Sequence, residues 1–291
     1  MSERKTASHA RGALRVRGRE LRWGERTYVM GIVNVAPDSF SGDGLPEPHA
    51  AAERARAHVL AGADVIDVGA ESTRPGHRPI DEATEARRLL PAIAAIREGL
   101  PDAIVSVDTF KPNVFAAAHA AGGDLLNSIW GASPQLVATC AERGAAIVVM
   151  HNKPVAVYER DVMDEVLTFL DEAAARCVAA GMPAEHVVLD PGIGFGKLPE
   201  HNLAILRSLD RLVALGFPTL IGTSRKSTIG KLTGRGVEAR EFGTAASVAL
   251  AVAAGIDVVR VHDVAEQRDV VRVADAIVRG WRPEEWTERL P

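Results

Sequence analysis

The chain has 291 residues and 30.9 kDa, with 34 Lys and Arg against 38 Asp and Glu, a formal net charge of −4 and a sequence pI near 6.2. That balance excludes the basic footprint of a nucleic-acid binder or of a protein held on an acidic membrane. A hydrophobic fraction of 47% with 25% charged residues excludes global disorder, and two cysteines, Cys140 and Cys177, are too few for a disulfide framework or a zinc cluster, which points to a reducing compartment.

Residues 1–22 are basic, broken by Gly12 and Gly18, and lack the apolar core of a signal peptide. No apolar run reaches the roughly 18 residues that span a bilayer, so a soluble cytoplasmic protein is expected. Residues 13–27 alternate apolar and polar side chains around Gly18, the pattern of a small hairpin able to plug one end of the fold that follows. Short apolar, β-branched runs then recur at 28–35, 65–69, 104–107, 125–129, 146–150, 187–189, 219–222 and 258–261. Between and after them, 50–61, 81–99, 112–121, 134–143, 162–180, 202–215, 241–254 and 264–278 carry apolar residues at helical spacing. Gly62, Gly99, Gly122, Gly144, Gly181, Gly216, Gly255 and Gly280 stand where a left-handed residue commonly stops a helix.

Strand–helix alternation repeated eight times predicts a parallel sheet, because each crossover needs a helix. The length suits an α/β fold of the closed (β/α)8 TIM-barrel type, with an open doubly wound sheet as its rival. Three segments are expected: an N-terminal extension and hairpin over 1–27, a single barrel domain over 28–280, and a short, weakly packed tail over 281–291.

A barrel takes its chemistry from the carboxyl ends of its strands. In chain order those ends read Asn34-Val35-Ala36-Pro37-Asp38, then Asp67 through Glu71-Ser72-Thr73-Arg74-Pro75-Gly76, Asp108-Thr109, Asn127-Ser128, Met150-His151-Asn152, Asp190-Pro191-Gly192, Ser224-Arg225-Lys226 and Arg260-Val261-His262-Asp263. A single Asp after a strand commonly caps the next helix, and Asp81 and Asp263 are assigned that role. The glycine-rich stretches 192–197 and 222–231 lack the Ser or Thr after Lys that a nucleotide P-loop requires, since Leu198 and Leu232 follow their lysines. Both read as flexible loops that let backbone approach a ligand.

Convergence is the informative feature. Arg74, Arg260 and His262 offer donors and positive charge suited to a phosphate or pyrophosphate. Asn34 offers a neutral oxygen to a hard cation otherwise bound by phosphate and water, as Mg²⁺ prefers. Asp108 and Asp190 can accept hydrogen bonds from the amidine-like edge of a heterocycle, Asn127 can read a ring nitrogen and its neighbour, and Lys226 can donate to a ring carbonyl. Together they describe a site for a flat, nitrogen-rich ring bearing a phosphorylated arm.

The motifs GIVNVAPDSFSGDG, DVGAESTRPG, SVDT, DPGIGFGK, GTSRKSTIG and RVHDV, in this order, resemble those of the dihydropteroate synthase family, and the resemblance runs from about Val29 to Gly280. It implies a pterin-binding TIM barrel that joins 6-hydroxymethyl-7,8-dihydropterin pyrophosphate to 4-aminobenzoate, an alkyl/aryl-group transfer of folate biosynthesis. Carried over by motif, Asp108, Asn127, Asp190 and Lys226 hold the pterin, Arg74, Arg260 and His262 hold the pyrophosphate, and Asn34 binds Mg²⁺. Phe40, Thr73, Pro75, Phe195 and Ser224 line the aminobenzoate pocket. Asp108, Lys226 and Arg260 are the catalytic candidates, with Asp108 stabilising a cation-like transition state. The resemblance also implies sulfonamides as inhibitors and a homodimer through the late helices. Departures from the family pattern are Ala36, Gly42-Asp43-Gly44, Ala70, Ser128 and His151-Asn152-Lys153. Alternatives at this point are a pterin-dependent methyltransferase, a non-catalytic pterin-binding paralogue and a Schiff-base aldolase using Lys226.

Overall fold

The apolar runs fold as eight parallel strands, and the amphipathic stretches cross over between them. The computed structural model describes residues 12–36, 45, 47–71, 79–283 and 286. In chain order its elements are β1 (Ala13–Val16), β2 (Arg19–Arg22), β3 (Tyr28–Asn34), α1 (Pro48–Leu60), β4 (Val65–Gly69), α2 (Glu82–Gly99), β5 (Ile104–Asp108), α3 (Pro112–Ala120), β6 (Leu125–Ser128) and α4 (Pro134–Arg143). There follow β7 (Ala146–Met150), α5 (Val162–Ala179), β8 (Val187–Asp190), α6 (Pro199–Arg207), α7 (Leu209–Val213), β9 (Leu220–Ile221), α8 (Ser227–Thr233), α9 (Glu241–Ala253), β10 (Val258–Val261) and α10 (Val264–Val278).

β1 and β2 form an antiparallel hairpin; the other eight strands run in the order β8-β7-β6-β5-β4-β3-β10-β9. A parallel bridge between Leu189 and Thr219, with Leu189 N–H donating to the Pro218 carbonyl at 2.8 Å, brings β8 against β9 and closes the ring. The fold is therefore the (β/α)8 TIM barrel with an N-terminal hairpin, not the open sheet. No helix of the described residues is long and apolar enough to cross a membrane.

Strand periodicity builds the site. Along each strand alternate residues face the helices, where Val29, Val33, Ile66, Val68, Val105, Val107, Leu126 and Val259 form the outer core. The inward positions begin apolar: Met30, Val65, Ile104, Leu125, Val188 and Val258 cluster with Leu14, Leu21 and Trp23 of the hairpin region. Two residues further along the same faces stand Asp67, Ser106, Asn127, Asp190 and Arg260. The barrel interior thus turns from oily at the hairpin end to polar at the carboxyl end.

The hairpin plugs the bottom, as its alternation predicts. Trp23 Nε1 donates to the Glu185 carbonyl at 2.9 Å, and its ring meets Tyr28 edge-on at 5.7 Å. Leu21 is buried beneath it. Leu21→Ala is expected to cost about 2 kcal/mol, the low end of the large-to-small range because a peripheral hairpin can relax. Urea denaturation measures that loss, and turnover per folded molecule should stay at the wild-type value.

Three local expectations are corrected. The helix expected over 202–215 starts earlier, at Pro199, and is broken into α6 and α7 at Ser208, whose φ of −120° and ψ of 24° are not helical. Gly99 belongs to α2, and Leu100 ends it in a non-helical conformation, pushed there by Pro101. Much of the supposed loop 222–231 is helical, because α8 starts at Ser227 directly behind Lys226.

Candidate active site

The parallel register sets Asn34 beside Gly69, Gly69 beside Asp108, and Asp108 beside Asn127. Neighbouring strands therefore deliver their polar ends at one level. Arg260, from the middle of β10, reaches across the barrel: its Nε donates to Asp67 Oδ2 at 2.6 Å and an Nη donates to Asp108 Oδ2 at 2.9 Å. Asn127 Nδ2 donates to the same Asp67 oxygen at 3.1 Å. One largely buried guanidinium, its side chain 22% exposed, is shared by two carboxylates. Burial pushes the Asp108 carboxyl up to about 7, against the pull of the Arg260 charge and helped by Asp67. Burial also opposes the Arg260 charge, but Asp67 and Asp108 more than offset it and raise its pKa.

A second group comes from β8 and the two loops around it. Asp190 Oδ1 accepts from Gly192 N–H at 2.7 Å, and burial raises its pKa despite Lys226, this hydrogen bond and Lys197. Lys226 donates to the Ile193 carbonyl and lies 4.6 Å from the centre of the Phe195 ring. Gly192 and Gly196 have φ of 69° and 59°, and a Cβ on them would lie 2.0 Å from the His151 carbonyl oxygen and 2.2 Å from that of Lys153. Only glycine lets this loop lie so close to the end of β7. A Cβ on Gly222 would lie 3.7 Å from Arg260 Cβ and 3.9 Å from Lys226 Nζ, so the two groups share one mouth.

A third contact pairs Ser224 with His262: the serine hydroxyl lies 2.9 Å from His262 Nδ1 and accepts from its backbone N–H at 3.2 Å. Asp81 caps its helix as expected, its Oδ1 accepting from Thr84 N–H at 2.6 Å. Asp263 does not. It stands at the N-terminus of α10 without a capping bond, and its carboxylate is taken by Arg225 at 3.0 Å and 2.5 Å, since charge pairing outweighs a single neutral cap.

Asp108, Asn127, Asp190, Phe195, Ser224, Lys226, Arg260, His262 and Asn34 all stand at this end of the barrel. Thr73 and Arg74, with Phe40 and Pro75, lie outside the described residues, as does Gly42-Asp43-Gly44. Asp67 carries a role that strand-end reasoning gave to others. Its signal was available: one charged residue amid the buried strand Val-Ile-Asp-Val-Gly, with none of its surface exposed.

The partly buried Lys226 makes stability pH-dependent. Burial lowers its pKa to about 8, against the pull of Asp190, so between about 8 and its ordinary 10.5 the unfolded chain binds a proton that the native state does not. Stability therefore rises with pH across that window, and the gain is lost as pH falls through about 8. Lys226→Met should flatten this part of the stability–pH curve, as followed by urea midpoints from pH 7 to 10.5; an unchanged slope would contradict the burial of an ammonium there.

Residues 30–262 match the family model of pterin binding enzymes. The chain is 40% identical over 270 residues to the dihydropteroate synthase of Clostridium beijerinckii, covering 91% of this chain and 100% of that one. Its structure is similar to that of Yersinia pestis dihydropteroate synthase in complex with a sulfonamide drug, with a TM-score of 0.86 and 36% identity over 91% of this chain and 98% of the other. It is also similar to the Thermus thermophilus enzyme in complex with 4-aminobenzoate, with a TM-score of 0.81 and 44% identity over 91% of this chain and all of that one.

Proposed function

This chain belongs to the dihydropteroate synthase family of pterin-binding enzymes, a transferase of folate biosynthesis that joins 6-hydroxymethyl-7,8-dihydropterin pyrophosphate to 4-aminobenzoate, and on that premise we propose how its barrel mouth divides the work. The observation that carries the reading is the shared network of Asp67, Asp108, Asn127 and Arg260, with Asp190 and Lys226 in the same mouth. Asp190, Asn127 and Asp108 hold the polar edge of the pterin, and Lys226 donates to its carbonyl. Phe195 and Ser224 form the wall against which the aminobenzoate lies, and the family motif assigns Thr73 to the same substrate.

The bond from the exocyclic carbon to the pyrophosphate oxygen breaks, the arylamine nitrogen attacks that carbon, and the nitrogen then loses a proton to solvent. The ring delocalises positive charge on the carbon, which favours a loose, cation-like displacement. Asp108 lies where its carboxylate can stabilise that charge. Arg260 and His262 face the departing anion, and their attraction grows as its charge develops; the family motif assigns Arg74 to the same anion. The arylamine is neutral at pH 7, so no strong general base is required.

The residues fit a magnesium ion. Asn34, at the carboxyl end of β3, carries a neutral amide oxygen, a donor suited to an ion held mainly by phosphate and water. Bound by Asn34 and the pyrophosphate, magnesium would neutralise charge on the leaving group.

In this reading residues 28–280 form one domain, preceded by the segment 1–27, whose strands β1 and β2 plug the barrel, and followed by 281–291. Phe242 and Leu250 on α9 with Val273 and Ile277 on α10 expose a broad apolar face, which supports association of two copies there. Cys140 and Cys177 are free and buried, burial pushing their thiols up to about 12 and about 11, in keeping with a cytoplasmic location.

The test of the function is dihydropteroate formation from the two substrates with Mg²⁺. The test of ring placement is Asp190→Asn, which keeps the oxygen that receives Gly192 N–H and turns the other oxygen into a donor. Pterin affinity by calorimetry is expected to fall by about 1–3 kcal/mol, as for a buried group left facing a like partner. Unchanged affinity would move the ring elsewhere.

A further inference from the structure

Lys197 ends the glycine-rich loop and is buried. Its ammonium meets three acceptors: His151 Nδ1 at 2.9 Å, the Phe195 carbonyl at 3.0 Å and the His151 carbonyl at 3.2 Å. Three acceptors match its three hydrogens. Burial, with the Lys197 and Lys153 charges, pulls His151 down to about 3, so its ring is neutral and can accept. Burial, with the Lys226 and Lys153 charges, lowers Lys197 to about 7 against the pull of Asp190, so its amine stays a donor to these acceptors whether or not it carries the third proton.

These contacts lie behind the mouth. The loop they hold gives the Phe195 ring that packs on Lys226 and the Ile193 carbonyl that receives its hydrogen bond. The loop is also held by Gly194 N–H on Asn202 Oδ1 at 2.8 Å, by Tyr158 hydroxyl on the Gly196 carbonyl at 2.9 Å and by Gly192 N–H on Asp190 Oδ1 at 2.7 Å, while Phe195 N–H donates to the Gly192 carbonyl at 3.2 Å within the loop. Of these side-chain ties none reaches the Phe195 carbonyl, which Lys197 holds.

We propose that Lys197 is a positioning residue for the arylamine substrate: by tying the Phe195 carbonyl to His151, it holds the Phe195 ring and the Ile193 carbonyl in register with Lys226. The inference rests on the reading that Phe195 lines the aminobenzoate pocket. Lys197 touches neither substrate. Its effect falls on the loop wall and leaves the pterin contacts of Asp108, Asn127 and Asp190, which stand on strands, while Lys226 keeps its own place at the start of α8.

Lys197→Met keeps the stem and removes the donors. The KM for 4-aminobenzoate should rise roughly tenfold, as for a displaced positioning group, while pterin affinity changes by less than about threefold. In the substrate-free protein, hydrogen exchange at the Gly194 and Phe195 amides should quicken by a similar factor of roughly ten through local opening. Lys197→Gln, which retains two donors, should show a smaller rise, and it serves where the Met variant does not fold. An unchanged KM with unchanged exchange overturns the proposal, and so does an equal loss of affinity for both substrates. Amide exchange needs no substrate, so it tests Lys197 independently, and wild-type turnover tests the aminobenzoate reading by itself.

Discussion

Asp67→Ala is expected to destabilise the fold by about 3–5 kcal/mol, the range for breaking a buried ion pair from one side. Asp67 is wholly buried and accepts from Arg260 Nε at 2.6 Å and from Asn127 Nδ2 at 3.1 Å. Removing its carboxylate leaves a guanidinium in the barrel interior with Asp108 as its remaining carboxylate partner, and takes from the Asn127 carboxamide the acceptor it donates to. Both groups then face the desolvation they had escaped. Urea denaturation with far-UV detection gives the loss directly. Asp67→Asn, which keeps an oxygen for one donor, should cost less than Asp67→Ala. A change below about 1 kcal/mol in both variants would mean that the arginine does not depend on Asp67, because removing a single partner from a buried charge ordinarily exceeds that value.

Arg260→Lys should lower kcat by about 10²–10³, the usual cost of losing one donor aimed at developing charge. Lysine keeps the positive charge but is a compact point donor, and it cannot hold two carboxylates in a fork as the guanidinium does. Binding of the unphosphorylated pterin alcohol should change by less than about fivefold, since that ligand lacks the anion Arg260 is assigned to and the ring keeps Asp190 and Lys226. The comparison of kcat with alcohol affinity is decisive. Equal losses in the two would assign Arg260 to the ring and not to the leaving group.

Much of this was legible in the residues. The eight strands announce themselves as apolar runs followed by helical periodicity, because a parallel strand is covered on both faces and each crossover needs a helix. The polar residues at strand ends predict one mouth because the barrel topology leaves them nowhere else to go. What stayed hidden depends on side-chain reach. Asp67 and Arg260 sit amid otherwise apolar strands below the rim, and their pairing joins β4 to β10 across the interior. Asp263 looks like an N-cap by position, yet Arg225, whose φ of 58° turns its side chain toward α10, claims it. α8 was hidden by Gly230 and by its seven-residue length, too short for periodicity to speak. Its start directly after Lys226 is visible only once the chain is folded.

The pairing of β3 with β10 has a consequence for how the polypeptide is made. Tyr28 lies beside Val258 in that ladder, and Gly24 N–H donates to Asp257 Oδ1 at 3.0 Å. The earliest barrel strand to leave the ribosome therefore waits for the latest before its second edge is covered. At about 5–20 residues per second, that wait lasts tens of seconds at the slower end. The plug is in the same position, since Trp23 anchors on Glu185, synthesised far behind it. Ring closure thus waits for the last barrel strand, and the nascent amino-terminal strand spends that interval as an open β edge, the kind of surface that molecular chaperones exist to shield.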